Sequence, residues 1–173
     1  QFNITIFISL ALYDLLYKYF GEKVNIKWPN DILIADKKIA GILIQNIVSG
    51  DIVKDVIVGI GLNVNQTQIT DYSTKATSFA LELEQKVALP LLQNELLAAV
   101  EYRYLQFQEG KLEAMKSEFL TKLFGFNQFR DYIIEDKKTK AKIIDIDESG
   151  QLVLAFEDCS TKVFSLKEIK YLI

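Results

Sequence analysis

Over Gly59-Ile60-Gly61-Leu62-Asn63-Val64-Asn65, glycines and asparagines alternate with aliphatic residues. Successive side chains of an extended strand point to opposite faces, so Val58, Ile60, Leu62 and Val64 line one face. Gly59, Gly61, Asn63 and Asn65 line the other, which is bare for two positions and then carries two amides. Glycine weakens a strand interior, so this spacing needs a reason, and close approach of a ligand to the backbone is one. A bulge or a helix packed on the strip would account for either glycine alone. The row of four favours a floor for a flat ligand, with asparagine amides able to pair with the donor–acceptor edge of a base.

Two further groups could join that floor. In Lys27-Trp28-Pro29-Asn30-Asp31 the proline ends a strand sharply, and Asn30 and Asp31 suit a turn, with no further role required of them. Lys37 and Lys38 follow Asp36 in a second turn, where lysine is ordinarily a solvated charge, and Lys37 is read that way. Lys38 adjoins Ile39-Ala40-Gly41 and could reach back over the sheet, where an ammonium suits a phosphate or developing negative charge. Strict alternation puts Lys38 and Gly41 on opposite faces, so a shared ligand would require a bulge or a backbone contact at Gly41.

The surrounding pattern supplies the positioning elements. Ile4, Ile8, Ala11, Leu12, Leu15, Leu16 and Tyr19 recur at helical spacing up to Gly21. Residues 24–28 alternate as a strand, the apolar runs 32–35 and 39–44 read as a hairpin, and 52–64 form the strongest strand, after a turn at Ser49-Gly50-Asp51. Residues 66–76 read as a loop, with Thr77 or Ser78 capping a short helix to about Gln85. A helix from Pro90 to Gly110 presents Leu92, Leu96, Ala99 or Val100, and Tyr104 on one face, and another carries Leu112, Met115, Phe119 and Leu123 to Gly125. From Arg130 the pattern changes to short strands at 131–135, 140–147, 151–157 and 162–166, with turns at 136–138, 148–150 and 158–160, predicting a small antiparallel barrel. The domains are therefore expected at 1–125 and 126–173.

Composition narrows the chemistry. The 173 residues include no histidine and one cysteine, Cys159, which excludes a histidine base, a Ser-His-Asp triad, a thiolate metal cage and an intrachain disulfide. A reducing, cytoplasmic setting is expected. The net charge of −3 gives no basic field for nucleic acid. Asp14 and Lys18 interrupt the longest apolar stretch, so no membrane span is expected. Glu82, Glu84, Asp145 and Asp147 form no acid–base pair or metal site, Tyr102, Tyr104 and Phe107 read as helix packing, and Lys137, Lys138, Lys140 and Lys142 as a wet strand face. The helical pattern starts almost at Gln1, so further residues are expected upstream.

Taken together, Lys27-Trp28-Pro29-Asn30-Asp31, Lys38-Ile39-Ala40-Gly41-Ile42-Leu43-Ile44 and Gly59-Ile60-Gly61-Leu62-Asn63-Val64-Asn65 resemble, in order and separation, the catalytic segment of biotin protein ligases. The resemblance implies an α+β fold: a mixed β-sheet with flanking helices, as in class II aminoacyl-tRNA synthetases, followed by an SH3-like β-barrel. It implies that biotin attacks the α-phosphate of ATP to give biotinyl-5'-AMP, with Mg2+ accompanying ATP, and that a lysine of a biotin carboxyl carrier protein then takes the biotinyl group. By motif position Lys38 is the cation at the biotin carboxyl and α-phosphate, and Asp31 orients the incoming lysine or the nucleotide. Asn30 and Asn63 contact adenine, Gly41, Gly59 and Gly61 form the floor, and Lys27 and Asn65 are counted with them as cofactor-binding residues. The family's Gly/Arg-rich biotin loop would precede residue 1, so these 173 residues alone are expected to bind biotinyl-adenylate poorly. Lys142-Ile143-Ile144-Asp145 departs from the family's glycine before Ile-Asp. The alternatives are a lipoate or octanoate enzyme of the same superfamily and a non-catalytic binding module. Strands 42–47 and 52–62 are expected in or beside an exposed sheet edge, which could pair two subunits.

Overall fold

A computed structural model describes residues 2–49, 52–69 and 75–172. The first helix, α1 (Phe2–Phe20), buries Ile6 through Tyr13 without a gap, and then Leu15 and Leu16. Eight consecutive buried positions cover every face of a helix, so α1 is enclosed all round. By length and composition it could cross a bilayer, and its burial is that of a core helix.

Against it lies an antiparallel sheet of β1 (Val24–Lys27), β2 (Asp31–Ile34), β3 (Lys37–Ser49) and β4 (Ile52–Leu62), in that spatial order. The Trp28-Pro29-Asn30 turn, with a cis Trp28–Pro29 bond, joins β1 to β2, and Ala35-Asp36 joins β2 to β3. The expected turn between β3 and β4 falls partly on Gly50 and Asp51, outside the described residues. Val24, Ile26, Ile32, Ile34, Ala40 and Ile42 join the α1 core. Parallel bridges Ile26–Leu123 and Lys38–Ala76 make the sheet mixed at its margins.

Three helices follow: α2 (Phe79–Leu83), capped by the Ser78 hydroxyl accepting from Leu81 N, α3 (Leu89–Gln108) and α4 (Leu112–Thr121). On α3 the expected face is only partly used: Leu92 is buried, while Tyr104 stays half exposed against Phe7. The residue that ties α3 down is Arg103, buried and bidentate to two carboxylates. It donates to Asp14 of α1 at 2.6 and 2.9 Å and to Glu118 of α4 at 2.7 Å twice. Burial lowers a guanidinium pKa, but these hydrogen bonds outweigh it and hold Arg103 above its ordinary value.

The second sheet is antiparallel, ordered β8 (Thr161–Phe164), β7 (Leu152–Phe156), β6 (Lys137–Ile146), β5 (Arg130–Ile134), β9 (Ile169–Tyr171). Its first turn is Glu135-Asp136, both at positive φ, the conformation a two-residue hairpin favours. Lys137 and Lys138 are therefore strand residues, not turn residues. The expected barrel is an open sheet: no ladder joins β8 to β9 among the described residues. It curls nonetheless, since Lys162 of β8 reaches Glu135 at 3.1 Å. β9 was not expected.

The sheets share one continuous core. The buried Trp28 indole donates to Gly150 O at 2.8 Å, at the β6–β7 turn. Gly150 has φ +89°, and a Cβ there would stand 2.7 Å from the Phe2 ring, so both conformation and space require glycine.

Arg103→Met should cost about 3 kcal/mol, because it strands two partly buried carboxylates; urea unfolding measures it. A second expectation concerns pH. Burial pushes the Tyr132 hydroxyl up to about 12, with Arg130 opposing. The folded state thus holds this proton more tightly than the unfolded chain. The neutral Tyr132 contribution is complete below about pH 10 and is lost as pH rises toward 12. Tyr132→Phe should flatten the fall in urea midpoint between those limits.

Candidate active site

Cross-strand register assembles the site. Lys27 pairs with Asp31, Asp31 with Gly41, Gly41 with Gly61, and Leu43 with Gly59. Directly opposed residues share a sheet face, so one face carries Lys27, Asp31, Gly41 and Gly61 across four strands. The opposite face is core. A Cβ built on Gly61 would meet only Gly41 O, at 3.8 Å, and one on Gly59 only Leu43 atoms, at 3.7 and 3.8 Å. No helix among the described residues covers these glycines. Leu43 and Ile57, 60% and 53% exposed, extend the same open face as an apolar margin.

Lys38 reaches this face through a bulge. Ile32 pairs with Ala40 but Leu33 with Lys38, so Ile39 is the extra residue. The cause lies in residues far along the chain. Lys38 N donates to Lys75 O at 2.8 Å, Thr77 N donates to Lys38 O at 2.8 Å, and Asn63 N donates to Ile39 O at 2.9 Å. These bonds turn the Lys38 backbone toward residues 75–77 and shift the alternation by one. The conflict between Lys38 and Gly41 disappears: Cε and Nζ of Lys38 lie 3.3 Å from where a Gly41 Cβ would be. The ammonium meets Asp31 Oδ1 at 2.6 Å. Gly41 is thus the floor on which Lys38 lies.

Residues 75–82, in which the sequence pattern marked only a helix and its cap at Thr77 or Ser78, form a supporting layer. Thr77 and Ser78 are buried. The Ser78 hydroxyl donates to Gln66 O at 2.6 Å, and the Thr77 hydroxyl to Glu82 at 2.6 Å. Lys37, read as surface, pairs with Glu82 at 3.1 Å. Burial raises the Glu82 pKa, but Thr77 and Lys37 outweigh it and hold the carboxyl below its usual value. Of the loop 66–76, residues 70–74 lie outside the described residues.

The asparagines differ in placement. Asn30 donates from Nδ2 to Ile42 O at 2.7 Å while its own carbonyl accepts from Ile42 N at 2.9 Å, extending the β2–β3 pairing past Asp31. Asn63 donates to Thr77 O at 3.1 Å, and an amide with one N–H so used retains a second N–H and an acceptor. Asn65 spends both ends of its amide on Val87, donating to its O and accepting from its N, each at 2.9 Å. It therefore fastens the segment after α2. Lys27 shares the Asp31 face, yet its ammonium lies 5.3 Å from the Tyr171 ring centroid, toward the second sheet. The arrangement offers one ammonium–carboxylate pair at the head of an uncovered glycine strip, suited to an anionic group at Lys38 and a flat moiety on the glycines.

Residues 2–63 match the family model described as Biotin/lipoate A/B protein ligase family. The bifunctional ligase/repressor BirA of Bacillus subtilis is 29% identical over 167 residues, covering 94% of this chain and 51% of the relative. A biotin--[acetyl-CoA-carboxylase] ligase of Paracoccus denitrificans is 48% identical over 58 residues, 32% of this chain and 24% of that protein. The solved biotin protein ligase of Aquifex aeolicus, in complex with biotin and ATP, superposes with a TM-score of 0.76 at 22% identity, over 98% of this chain and 70% of its own. The chain spans about half the length of the BirA relatives it matches.

Because the strip is open, Gly61→Val should leave the melting temperature unchanged or raise it slightly, a β-branched residue suiting an exposed strand position. A loss of several degrees in thermal unfolding would mean that this face is covered.

Proposed function

We propose that this chain belongs to the biotin protein ligase family and serves the ATP-dependent attachment of biotin to a lysine of a biotin carboxyl carrier protein, a reading supported by the family match over residues 2–63 and by the ligase relatives. The observation that carries the reading is the Lys38 ammonium, folded onto Gly41 and held at 2.6 Å by Asp31, beside glycines that no helix among the described residues covers.

The reaction has two displacements. A biotin carboxylate oxygen attacks the α-phosphorus of ATP, the bond to the bridging oxygen breaks, and pyrophosphate leaves. The amine of the carrier lysine then attacks the acyl carbon of biotinyl-5'-AMP and loses a proton, and AMP departs. Neither step needs a histidine, because positioning and charge stabilisation supply the rate. Lys38 would stabilise negative charge shared between the carboxylate and the α-phosphate. Asp31 would receive or orient the incoming ammonium once Lys38 turns to the ligand. Asn30 and Asn63 would offer their remaining amide groups to adenine, and Gly41, Gly59 and Gly61 would let the ligand lie against the backbone. Mg2+ would arrive on the triphosphate, retaining several waters. We place this activity in the cytoplasm, in a ligase domain of residues 1–125 followed by a terminal domain of 126–173. The outer strand β4 offers an edge on which a second subunit could pair.

The test uses the protein translated from its complete reading frame. Lys38→Ala should lower biotinyl-adenylate formation about 100-fold or more, with only a small fall in the urea midpoint, since Lys38 is a partly exposed strand residue whose single ion pair is with Asp31. Adenylate formation within a few-fold of the parent would remove Lys38 from the reaction. The matched family model includes lipoate enzymes, so radiolabelled biotin and lipoate should be offered in parallel to apo carrier proteins. Incorporation of lipoate alone would replace biotin in this reading, and incorporation of neither would leave a binding module.

A further inference from the structure

Two lysines border one carboxylate. Lys27 is the direct cross-strand partner of Asp31, a position where opposite charges attract. Asp31 is nevertheless paired with Lys38, at 2.6 Å. The Lys27 ammonium points the other way, 5.3 Å from the centroid of the Tyr171 ring, within the range of a cation–π contact. Tyr171 belongs to β9, the last strand of the second sheet. Its ring is itself held edge-on by Tyr132, centroids 5.3 Å apart. The Tyr171 hydroxyl is buried and makes no hydrogen bond among the described residues. What Tyr171 offers at this place is its ring.

We propose that Tyr171 is a positioning residue: by drawing Lys27 onto its ring, β9 reserves the Asp31 carboxylate for Lys38 and so keeps the Lys38 ammonium on Gly41. The inference rests on the ligase reading of Lys38 and deepens it, because the terminal sheet then decides which of two lysines is paired at the site. Without the ring, Lys27 would compete for Asp31. Lys38, a point charge on a flexible stem, would lose its anchor for part of the time.

Lysine side-chain NMR of the whole chain tests this without relying on activity. Ring current should shift the Lys27 ε-methylene protons upfield. That shift should persist in Tyr171→Phe, which keeps the ring and removes only the unpaired hydroxyl, and vanish in Tyr171→Leu. In Tyr171→Leu the Lys38 signals should also move, and adding Lys27→Met should return them, a rescue that a merely structural role for Tyr171 would not produce. Asp31→Asn should move the Lys38 signals and leave those of Lys27 in place. An unshifted Lys27 in the parent protein overturns the proposal. So does an Asp31→Asn response equal at both lysines, and these two results decide the matter even if Tyr171→Leu fails to fold. Absence of biotin incorporation would defeat the ligase reading while leaving these spectra as described. Normal incorporation with an unshifted Lys27 would defeat the positioning role alone.

Discussion

The contact between Lys38 and Asp31 depends on a single extra residue in β3. A regular β2–β3 ladder would send Lys38 toward the core face, where an ammonium among Ile32, Ala40 and Ile42 could persist only at a large desolvation cost. The bulge at Ile39 reverses that orientation. Lys38 N, Lys38 O and Ile39 O are paired with Lys75, Thr77 and Asn63. The geometry of the ammonium is therefore specified by a segment more than thirty-five residues downstream, and the buried Thr77–Glu82 and Ser78–Gln66 hydrogen bonds fix that segment. Charge placement here is a property of backbone pairing before it is a property of the side chain.

The same constraint explains the division of labour between the two sheet faces. Ala40, Ile42 and Val64 commit one face to α1, so only the other face, bare at Gly41, Gly59 and Gly61, is left open. Aliphatic residues at Leu43 and Ile57 remain at its margin. Together they give an apolar shelf beside a polar head, a combination that fits an amphipathic small molecule better than a purely ionic one.

Much of this was readable from residue order. Alternation located β1 to β4, and the glycine row marked the open face, because both signals are local and have a period of two. The bulge was legible only as a requirement, since the partners that create it are distant in sequence. Arg103 gave no signal: its burial depends on Asp14 and Glu118 arriving from two other helices, and no spacing within α3 reveals them. β9 has three residues, too few for a pattern to develop, and exists because β5 presents an edge for it. The Glu135-Asp136 turn was displaced from the expected position because both residues accept positive φ, which freed Lys137 and Lys138 to enter β6. Asn65 shows the converse limit, as an amide in the right row can be consumed by its own chain.

The indole of Trp28 has one further consequence. It sits between Lys27, the last residue of β1, and Asp31, the first of β2, and its nitrogen is tied to the carbonyl of Gly150 at the β6–β7 turn. Motion of either sheet relative to the other must break that tether and open a shared apolar interior. A substitution that reshapes the β6–β7 turn at Gly150 would therefore reach the edge that carries Lys27 and Asp31 through this one hydrogen bond.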